Sequence, residues 1–269
     1  MKISFSTLGC PRWSWDEIVV MAKDLGYDGI EVRGIGSEIY IPFAKPFLPE
    51  NIERTKNRLV KLGLEIPCLT SSCNLSDKSN IHKVIKEGKE YIDLANKLDV
   101  PYIRILGDPN PHPEEDIDFN FTVESLSIMA SYAKDKNVKV LVETNGIYAN
   151  SNIMLQLMQT VNSPYVGVLW DIHHTYRFFS ESMVHTYNTL NKYIEHIHIK
   201  DSIMANGKVK YRMMGYGDVP TREALLLLKN SGYKGYVSLE WVKRWCMDLE
   251  EPGIVFSHFI NYIQRILKC

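Results

Sequence analysis

The second half of the chain carries acids and imidazoles at a spacing that suits chemistry on one face of a β-strand. The stretch IEHIHIKDS, residues 194–202, alternates isoleucines with His196, His198 and Lys200. Because alternate residues of a strand share a face, these three side chains point the same way. If that face meets the protein interior, the two imidazoles and the ammonium group need buried partners.

The same alternation places polar side chains on one face of five further strand-like segments. They are Glu31 and Arg33 in 29–34, Arg104 in 102–107, Glu143 and Asn145 in 139–146, Asp171 and His173 in 166–173, and Ser238 and Glu240 in 235–241. A buried carboxylate must be paired or must bind a metal. Glu143, Asp171 and Glu240, converging with His198, would repel one another unless a cation lay between them. Carboxylate oxygens with one imidazole suit Mn²⁺, Mg²⁺ or Co²⁺, with Zn²⁺ as a further candidate.

A salt-bridged core is the alternative interpretation of the same residues. It would pair Glu143 with Lys200 and Glu31 with Arg104, or Lys200 with its neighbour Asp201. Arg33 and Arg104 are also able to hold a phosphate or carboxylate of a substrate. His196 lies deeper in its strand, where a hydrogen-bonded core histidine is the simpler interpretation.

Strand-like and helix-like segments alternate along the whole chain in eight units. The predicted strands are 2–7, 29–34, 65–71, 102–107, 139–146, 166–173, 194–202 and 235–241, and the predicted helices are 14–26, 50–62, 80–98, 121–136, 151–161, 181–192, 221–230 and 253–267. This count and length predict an α/β fold, a (β/α)8 TIM barrel, as a single domain over 1–269. An open doubly wound sheet would require a glycine-rich turn after the first strand, and TLGCPRW is not one. Long loops at 35–49, 108–120 and 201–220 follow strand ends, where barrel active sites form.

The composition limits the class of partner. The chain has 269 residues, 45% hydrophobic, with a formal net charge of −1, so bulk charge favours neither nucleic acid nor an anionic membrane. There is no secretory h-region and no apolar run of about 18 residues. Five cysteines without a CxxC pair indicate reduced thiols and a cytoplasmic protein. The expected partner is a small molecule, and homo-oligomerisation is left open.

Several short motifs carry a resemblance to a known family. They are VETN at 142–145, WDIHH at 170–174, HIHIKD at 196–201, a G-x-G-D turn at 215–218 and SLEW at 238–241. Their order and placement resemble the xylose-isomerase-like TIM-barrel superfamily, and more narrowly its sugar phosphate isomerase and epimerase group. Ketose 3-epimerases, hydroxypyruvate isomerases and inosose dehydratases belong to that group. The resemblance covers the whole chain and is most specific in the C-terminal half.

The resemblance implies roles for individual residues. Glu143, Asp171, His198 and Glu240 would bind one divalent metal ion, and His174 and Arg212 would contact substrate. Lys200, Arg104 and Glu31 complete the candidate substrate-binding residues. Tyr216 departs from the family pattern, because a glutamate often stands at that position of the turn.

These residues suggest a mechanism. The metal would bind a ketone oxygen and its neighbouring hydroxyl, acidify the C–H bond between them and stabilise the resulting enediolate. Glu143 and Glu240 would be the catalytic base and acid, in an order that the sequence leaves open. The predicted function is a metal-dependent isomerase or epimerase of a small sugar or hydroxy-ketone.

Three other functions are alternatives. A dehydratase of a cyclic polyol ketone would begin with the same proton abstraction. The AP-endonuclease branch of the superfamily would require extra histidines where this chain has RGIG, TSSC and KYRM, so a nuclease is disfavoured. A non-catalytic sugar-binding barrel would have no need of the complete metal-ligand set that this chain contains.

Overall fold

Eight parallel strands form a closed barrel in the computed structural model, which describes residues 1–113 and 117–268. A two-stranded antiparallel hairpin follows the seventh barrel strand. In chain order the strands are β1 Lys2–Ser6, β2 Gly29–Glu31, β3 Cys68–Asn74, β4 Tyr102–Leu106, β5 Lys139–Glu143, β6 Val166–Asp171, β7 Ile194–Ile199, the hairpin strands β8 Asp201–Ala205 and β9 Lys208–Arg212, and β10 Tyr236–Leu239. The predicted TIM barrel is therefore confirmed.

Neighbouring barrel strands follow the order β2-β1-β10-β7-β6-β5-β4-β3. The two ends of this sheet meet through backbone hydrogen bonds. The amide of Ile30 donates to the carbonyl of Glu65 at 2.9 Å, and the amide of Thr70 donates to the carbonyl of Val32, also at 2.9 Å. Because β2 and β3 are joined in this way, all eight carboxyl ends of the strands surround one opening.

Helices surround the barrel. Those of the described residues are α1 Trp15–Leu25, α2 Ile52–Leu62, α3 Ile81–Lys97, α4 Phe119–Lys134, α5 Ser151–Val161, α6 Ile172–Phe179, α7 Met183–Leu190, α8 Thr221–Asn230 and α9 Pro252–Lys268. Ser14 and Glu17 form a capping box at the start of α1, and Gly26 ends this helix with φ 76°. None of these helices is both long and apolar enough to span a bilayer.

The two faces of each strand divide as the alternation predicts. Val142, Trp170, Ile197 and Leu239 belong to the hydrophobic core beneath the helices. The opposite faces point into the barrel, where small, apolar and charged side chains are all buried. Polar side chains on the inward faces therefore lie close to one another across the barrel axis, as the candidate site requires.

Several strand bounds differ from the prediction, since β2 ends at Glu31, β3 spans Cys68–Asn74 and β5 ends at Glu143, and two further differences affect residues near the candidate site. The sixth strand ends at Asp171, because the Asp171 carboxylate accepts hydrogen bonds from the amides of His173 at 2.9 Å and His174 at 3.2 Å and so caps α6. His173 is therefore on a helix and not on an inward strand face. The seventh predicted strand extends to 202, whereas β7 ends at Ile199 and the chain continues as the β8–β9 hairpin.

The hairpin leads into the glycine turn, which is organised by the buried carboxylate of Asp201. This carboxylate accepts hydrogen bonds from the amides of Gly215 and Gly217, both at 2.9 Å, and of Val219 at 3.2 Å. A Cβ atom at Gly217 would collide with Asp201 Oδ1, so the turn requires glycine there. Asp201 is thus occupied by backbone donors and does not pair with Lys200.

We expect Asp201→Ala to lower the free energy of unfolding by about 2–3 kcal/mol, because it leaves several amides of the turn without their acceptor. Asp218→Ala is the matched control, since Asp218 pairs with Arg177 from a half-exposed position and its loss should cost less than about 1 kcal/mol. Denaturant unfolding of both variants measures the difference. Equal stability of the two variants would contradict the role assigned to Asp201.

Candidate functional site

The carboxyl ends of six barrel strands deliver charged side chains to one buried cluster. Glu31 ends β2, Arg104 lies in β4, Glu143 ends β5 and Asp171 ends β6, while His198 and Lys200 come from the end of β7 and Glu240 follows β10 directly. All seven are less than a tenth exposed. These residues meet because the alternation places each of them on the inward face of its strand.

Three carboxylates and one imidazole form the centre of this cluster. Ligand atoms of Glu143, Asp171, His198 and Glu240 all lie within 4.8 Å of one another. His198 Nδ1 is 3.5 Å from Glu143 Oε1 and 3.4 Å from Glu240 Oε1. These are the four side chains that the sequence predicts as metal ligands, and they come from four different strand ends.

The opposite nitrogen of His198 is held by Glu31. His198 Nε2 lies 2.9 Å and 3.0 Å from the two Glu31 oxygens, and His196 Nε2 lies 2.7 Å from Glu31 Oε2. Burial favours neutral forms, yet the charges of Glu31 and Glu240 raise the pKa of His198 well above its usual value. The two histidines in turn hold the pKa of Glu31 well below its usual value despite burial. Glu31 thus fixes the ring so that Nδ1 faces the other carboxylates.

Two cations pair with the outer oxygens of the central carboxylates. Lys200 Nζ contacts Asp171 Oδ2 and lies 2.6 Å from Glu240 Oε2, while Arg104 Nε lies 2.7 Å from Glu143 Oε2. Burial alone would lower the pKa of Lys200, but Asp171 and Glu240 raise it above its usual value. The ion pairs considered from sequence, Glu143 with Lys200 and Glu31 with Arg104, are therefore not the ones formed.

The donor set of this cluster suits a divalent cation. His198 Nδ1 is buried and has no hydrogen-bond partner among the described residues, although it faces two carboxylate oxygens. The network of direct contacts contains four carboxylates and the two cations Arg104 and Lys200, which leaves two excess negative charges. A proton on His198 removes one of these charges, whereas a divalent ion beside neutral His198 removes both.

His174 lies at the edge of the cluster on α6. Its Nδ1 is 3.1 Å from the Thr144 carbonyl and 3.6 Å from Asp171 Oδ2. Burial lowers the pKa of His174, so the neutral ring is favoured. The neighbouring His173 points elsewhere and shares a 2.8 Å hydrogen bond with Ser202 Oγ. Of the two histidines, His174 lines the cavity described next.

A cavity of about 370 Å³ opens above the cluster. Its lining includes Glu143, His174, Lys200, Arg104 and Glu240 from the predicted site, and Arg33. It also includes residues that the sequence pattern does not predict, namely Ser71, Ser72, Tyr211, Trp245 and Cys246. The volume is within the range of small-molecule sites.

Arg212 lies apart from this cavity, at the end of β9. Its guanidinium donates to the carbonyl of Tyr211 at 3.0 Å, and the Tyr211 side chain is the one that lines the cavity. Tyr216 of the glycine turn is exposed and stacks near His258. A detectable signal for Tyr211 was the Asn206-Gly207 pair, since this dipeptide between alternating segments marks a hairpin.

Comparisons with known proteins agree with this architecture. The profile of the family described as "Xylose isomerase-like TIM barrel" matches residues 19–255. The fructoselysine 3-epimerase of Shigella flexneri is 26% identical over 286 residues, covering 99% of this chain and 98% of that protein.

Two solved structures share the fold. The probable 3-DHS dehydratase AsbF of Bacillus anthracis superposes with a TM-score of 0.81 at 20% identity, covering 98% of this chain and 99% of that one. The D-psicose 3-epimerase of Clostridium cellulolyticum H10, solved with D-tagatose, gives a TM-score of 0.77 at 20% identity and full coverage of both chains.

Proposed function

Since the chain belongs to the xylose isomerase-like TIM barrel family, we propose that it is a divalent-metal-dependent isomerase or epimerase of a small sugar or hydroxy-ketone. The observation that carries this proposal is the pair of buried carboxylates, Glu143 and Glu240, which flank His198 Nδ1 at the floor of one cavity. The full-length match to a fructoselysine 3-epimerase supports a ketose-type substrate. We further propose that residues 1–269 act as one cytoplasmic domain.

Glu143, Asp171, His198 and Glu240 would hold the metal ion. When bound, the ion would act as a Lewis acid toward the carbonyl and neighbouring hydroxyl oxygens of the substrate and so acidify the C–H bond between them. Mn²⁺, Mg²⁺ and Co²⁺ suit this set of mostly oxygen donors, and Zn²⁺ is also compatible. Glu31 would orient the ligating imidazole through its other nitrogen, as carboxylates do in many metal sites.

Glu143 and Glu240 would move the proton. They come from β5 and from the end of β10, which are separated in the barrel by β6 and β7, so they approach the cavity floor from different sides. Arg104 and His198 hold the pKa of Glu143 well below its usual value despite burial, and Lys200 does the same for Glu240 to a lesser degree. The ionised form, which a base requires, is therefore favoured for both groups.

The remaining polar side chains would position the substrate. The Lys200 ammonium is suited to donate a hydrogen bond to a substrate oxygen, because it lines the cavity beside the two carboxylates. Neutral His174 donates its Nδ1–H to the Thr144 carbonyl, so its Nε2 is suited to accept a hydrogen bond from a substrate hydroxyl. Return of the proton to the opposite face of the same carbon gives epimerisation. Return to the neighbouring carbon gives isomerisation, and departure of a β-hydroxyl gives the dehydratase reaction that is the alternative function.

The experiment that tests the proposal is a screen of ketoses, hydroxypyruvate and inosose in D₂O, with Mn²⁺, Mg²⁺ or Co²⁺ supplied separately. Proton NMR reports loss of the C–H signal next to the carbonyl and identifies the product as epimer, isomer or enone. We expect exchange that depends on added metal for at least one substrate class. Absence of exchange across the screen, in protein shown to contain metal, would contradict the proposed function.

A further inference from the structure

Arg33 is a buried cation in the wall of the cavity, and the proposed mechanism assigns no role to it. It follows β2 and is 8% exposed, and it lines the same cavity as Glu143 and Glu240. Its backbone amide donates to Thr7 Oγ1 at 2.8 Å, which ties this part of the chain to the end of β1. The side chain therefore starts from a fixed point on the cavity wall.

The guanidinium of Arg33 has few partners. Its Nη2 donates to Ser72 Oγ at 2.8 Å, whereas Nη1 is buried and has no hydrogen-bond partner among the described residues. No carboxylate within residues 1–113 or 117–268 forms an ion pair with it at 4.0 Å or less, although Arg104 and Lys200 both have carboxylate partners. Glu87, the acid that acts on Arg33 from a longer distance, has an oxygen occupied by the amide of Ser72 at 2.9 Å.

Burial and a neighbouring positive charge make the charged guanidinium of Arg33 energetically unfavourable. Burial, followed by the positive charge of Arg104, lowers the pKa of Arg33 to about 10, against a smaller opposing effect of Tyr91 and Glu87. A buried ion without a counter-ion is unfavourable, and an anionic group of a bound ligand would supply the missing partner. The ring of Trp245, which also lines the cavity, has its centroid 5.8 Å from Arg33 Cζ and bounds this corner.

We propose that Arg33 forms a subsite for an anionic group of the substrate, a carboxylate or a phosphate. This inference rests on the proposed function and narrows its substrate class to hydroxy-ketones that carry such a group. The guanidinium presents donors in a planar fork that matches either oxyanion. In the barrel, β2 lies opposite β6, so the anionic end would face away from Asp171 while the reacting carbons face Glu143 and Glu240.

The test compares ligands that differ at one carbon. D-fructose, D-fructuronate and D-fructose 6-phosphate share the keto end and differ only at C6, where they carry a hydroxyl, a carboxylate and a phosphate. We expect at least one anionic ketose to bind about 100-fold more tightly than fructose by calorimetry, and to show a correspondingly lower KM for deuterium exchange. The preferred anion distinguishes a carboxylate from a phosphate as the natural group.

Arg33→Met should remove this preference, because it should weaken binding of the anionic ketoses about 100-fold more than binding of fructose, and Arg33→Lys should restore part of the preference. Arg58→Met is the matched control, because Arg58 pairs with Asp16 away from the cavity. The inference is overturned if neither anionic ketose binds more tightly than fructose, or if Arg33→Met weakens all three ligands equally. Tight, Arg33-dependent binding without any exchange would support the subsite and contradict the proposed function instead.

Discussion

We expect Glu143→Gln and Glu240→Gln each to lower solvent deuterium incorporation into substrate by about 10³-fold or more, with the fold intact. A glutamine side chain fills the same space but cannot accept a proton from carbon. Both carboxylates have one oxygen near His198 and the other near a cation, so each variant also tests whether the neutral amide is tolerated between Arg104 or Lys200 and the imidazole. Proton NMR in D₂O with the best substrate of the screen measures the effect.

Glu65→Gln is the control for this pair. Glu65 carries the same functional group at the opposite end of the barrel, where it pairs with Lys2 at 2.6 Å, and its substitution should leave exchange unchanged. Metal content is measured in all three variants, because loss of exchange with the metal retained assigns the residue to proton transfer. Exchange at the wild-type rate in either cavity variant would show that its carboxylate is not needed for the proton step.

The sequence was sufficient for the barrel and for the central cluster because both follow from strict periodicity. Alternation in β7 fixes His198 and Lys200 on one face, and the same phase in β5 and β6 fixes Glu143 and Asp171. When eight such strands form a closed barrel, inward side chains near their carboxyl ends all meet at the centre of the barrel. No pairing information is needed for that conclusion, which is why the four candidate ligands were identified together.

Periodicity was insufficient where one residue has two roles or where a loop has structure of its own. Asp171 is both the last residue of β6 and the cap of α6, and an apolar run such as VGVLWDIH gives no sign of where strand becomes helix. The resemblance implies a substrate contact for Arg212, whereas the β8–β9 hairpin brings Tyr211 to the cavity. The choice of ion-pair partners, such as Lys200 with Asp171 and Glu240, depends on distances across the barrel that a linear pattern does not contain.

Asp171 pairs with a cation and is also a proposed metal ligand, so its substitution is a direct test of metal binding. One oxygen caps α6 through the amides of His173 and His174, and the other contacts Lys200. In Asp171→Asn the amide oxygen can continue to cap the helix, since asparagine is as good a cap as aspartate. The amide nitrogen that replaces the second oxygen can neither accept from Lys200 nor bind a cation.

We therefore expect Asp171→Asn to remain folded and to lose affinity for the divalent ion by more than about 100-fold, the upper end of the loss when only an outer partner of a ligand is removed.

Glu31→Gln should give an intermediate loss of about 10–100-fold, because it changes only the group that orients His198. Asp93→Asn, at a partly exposed ion pair with Lys136 on the outside of the barrel, is the control that should bind metal normally. Elemental analysis of protein purified without chelator, followed by titration of Mn²⁺ into chelator-treated protein, gives the three affinities. A wild-type protein that takes up no divalent ion, or whose proton exchange survives removal of the ion, would favour a salt-bridged site neutralised by Lys200 and Arg104 and would exclude the metal-dependent mechanism.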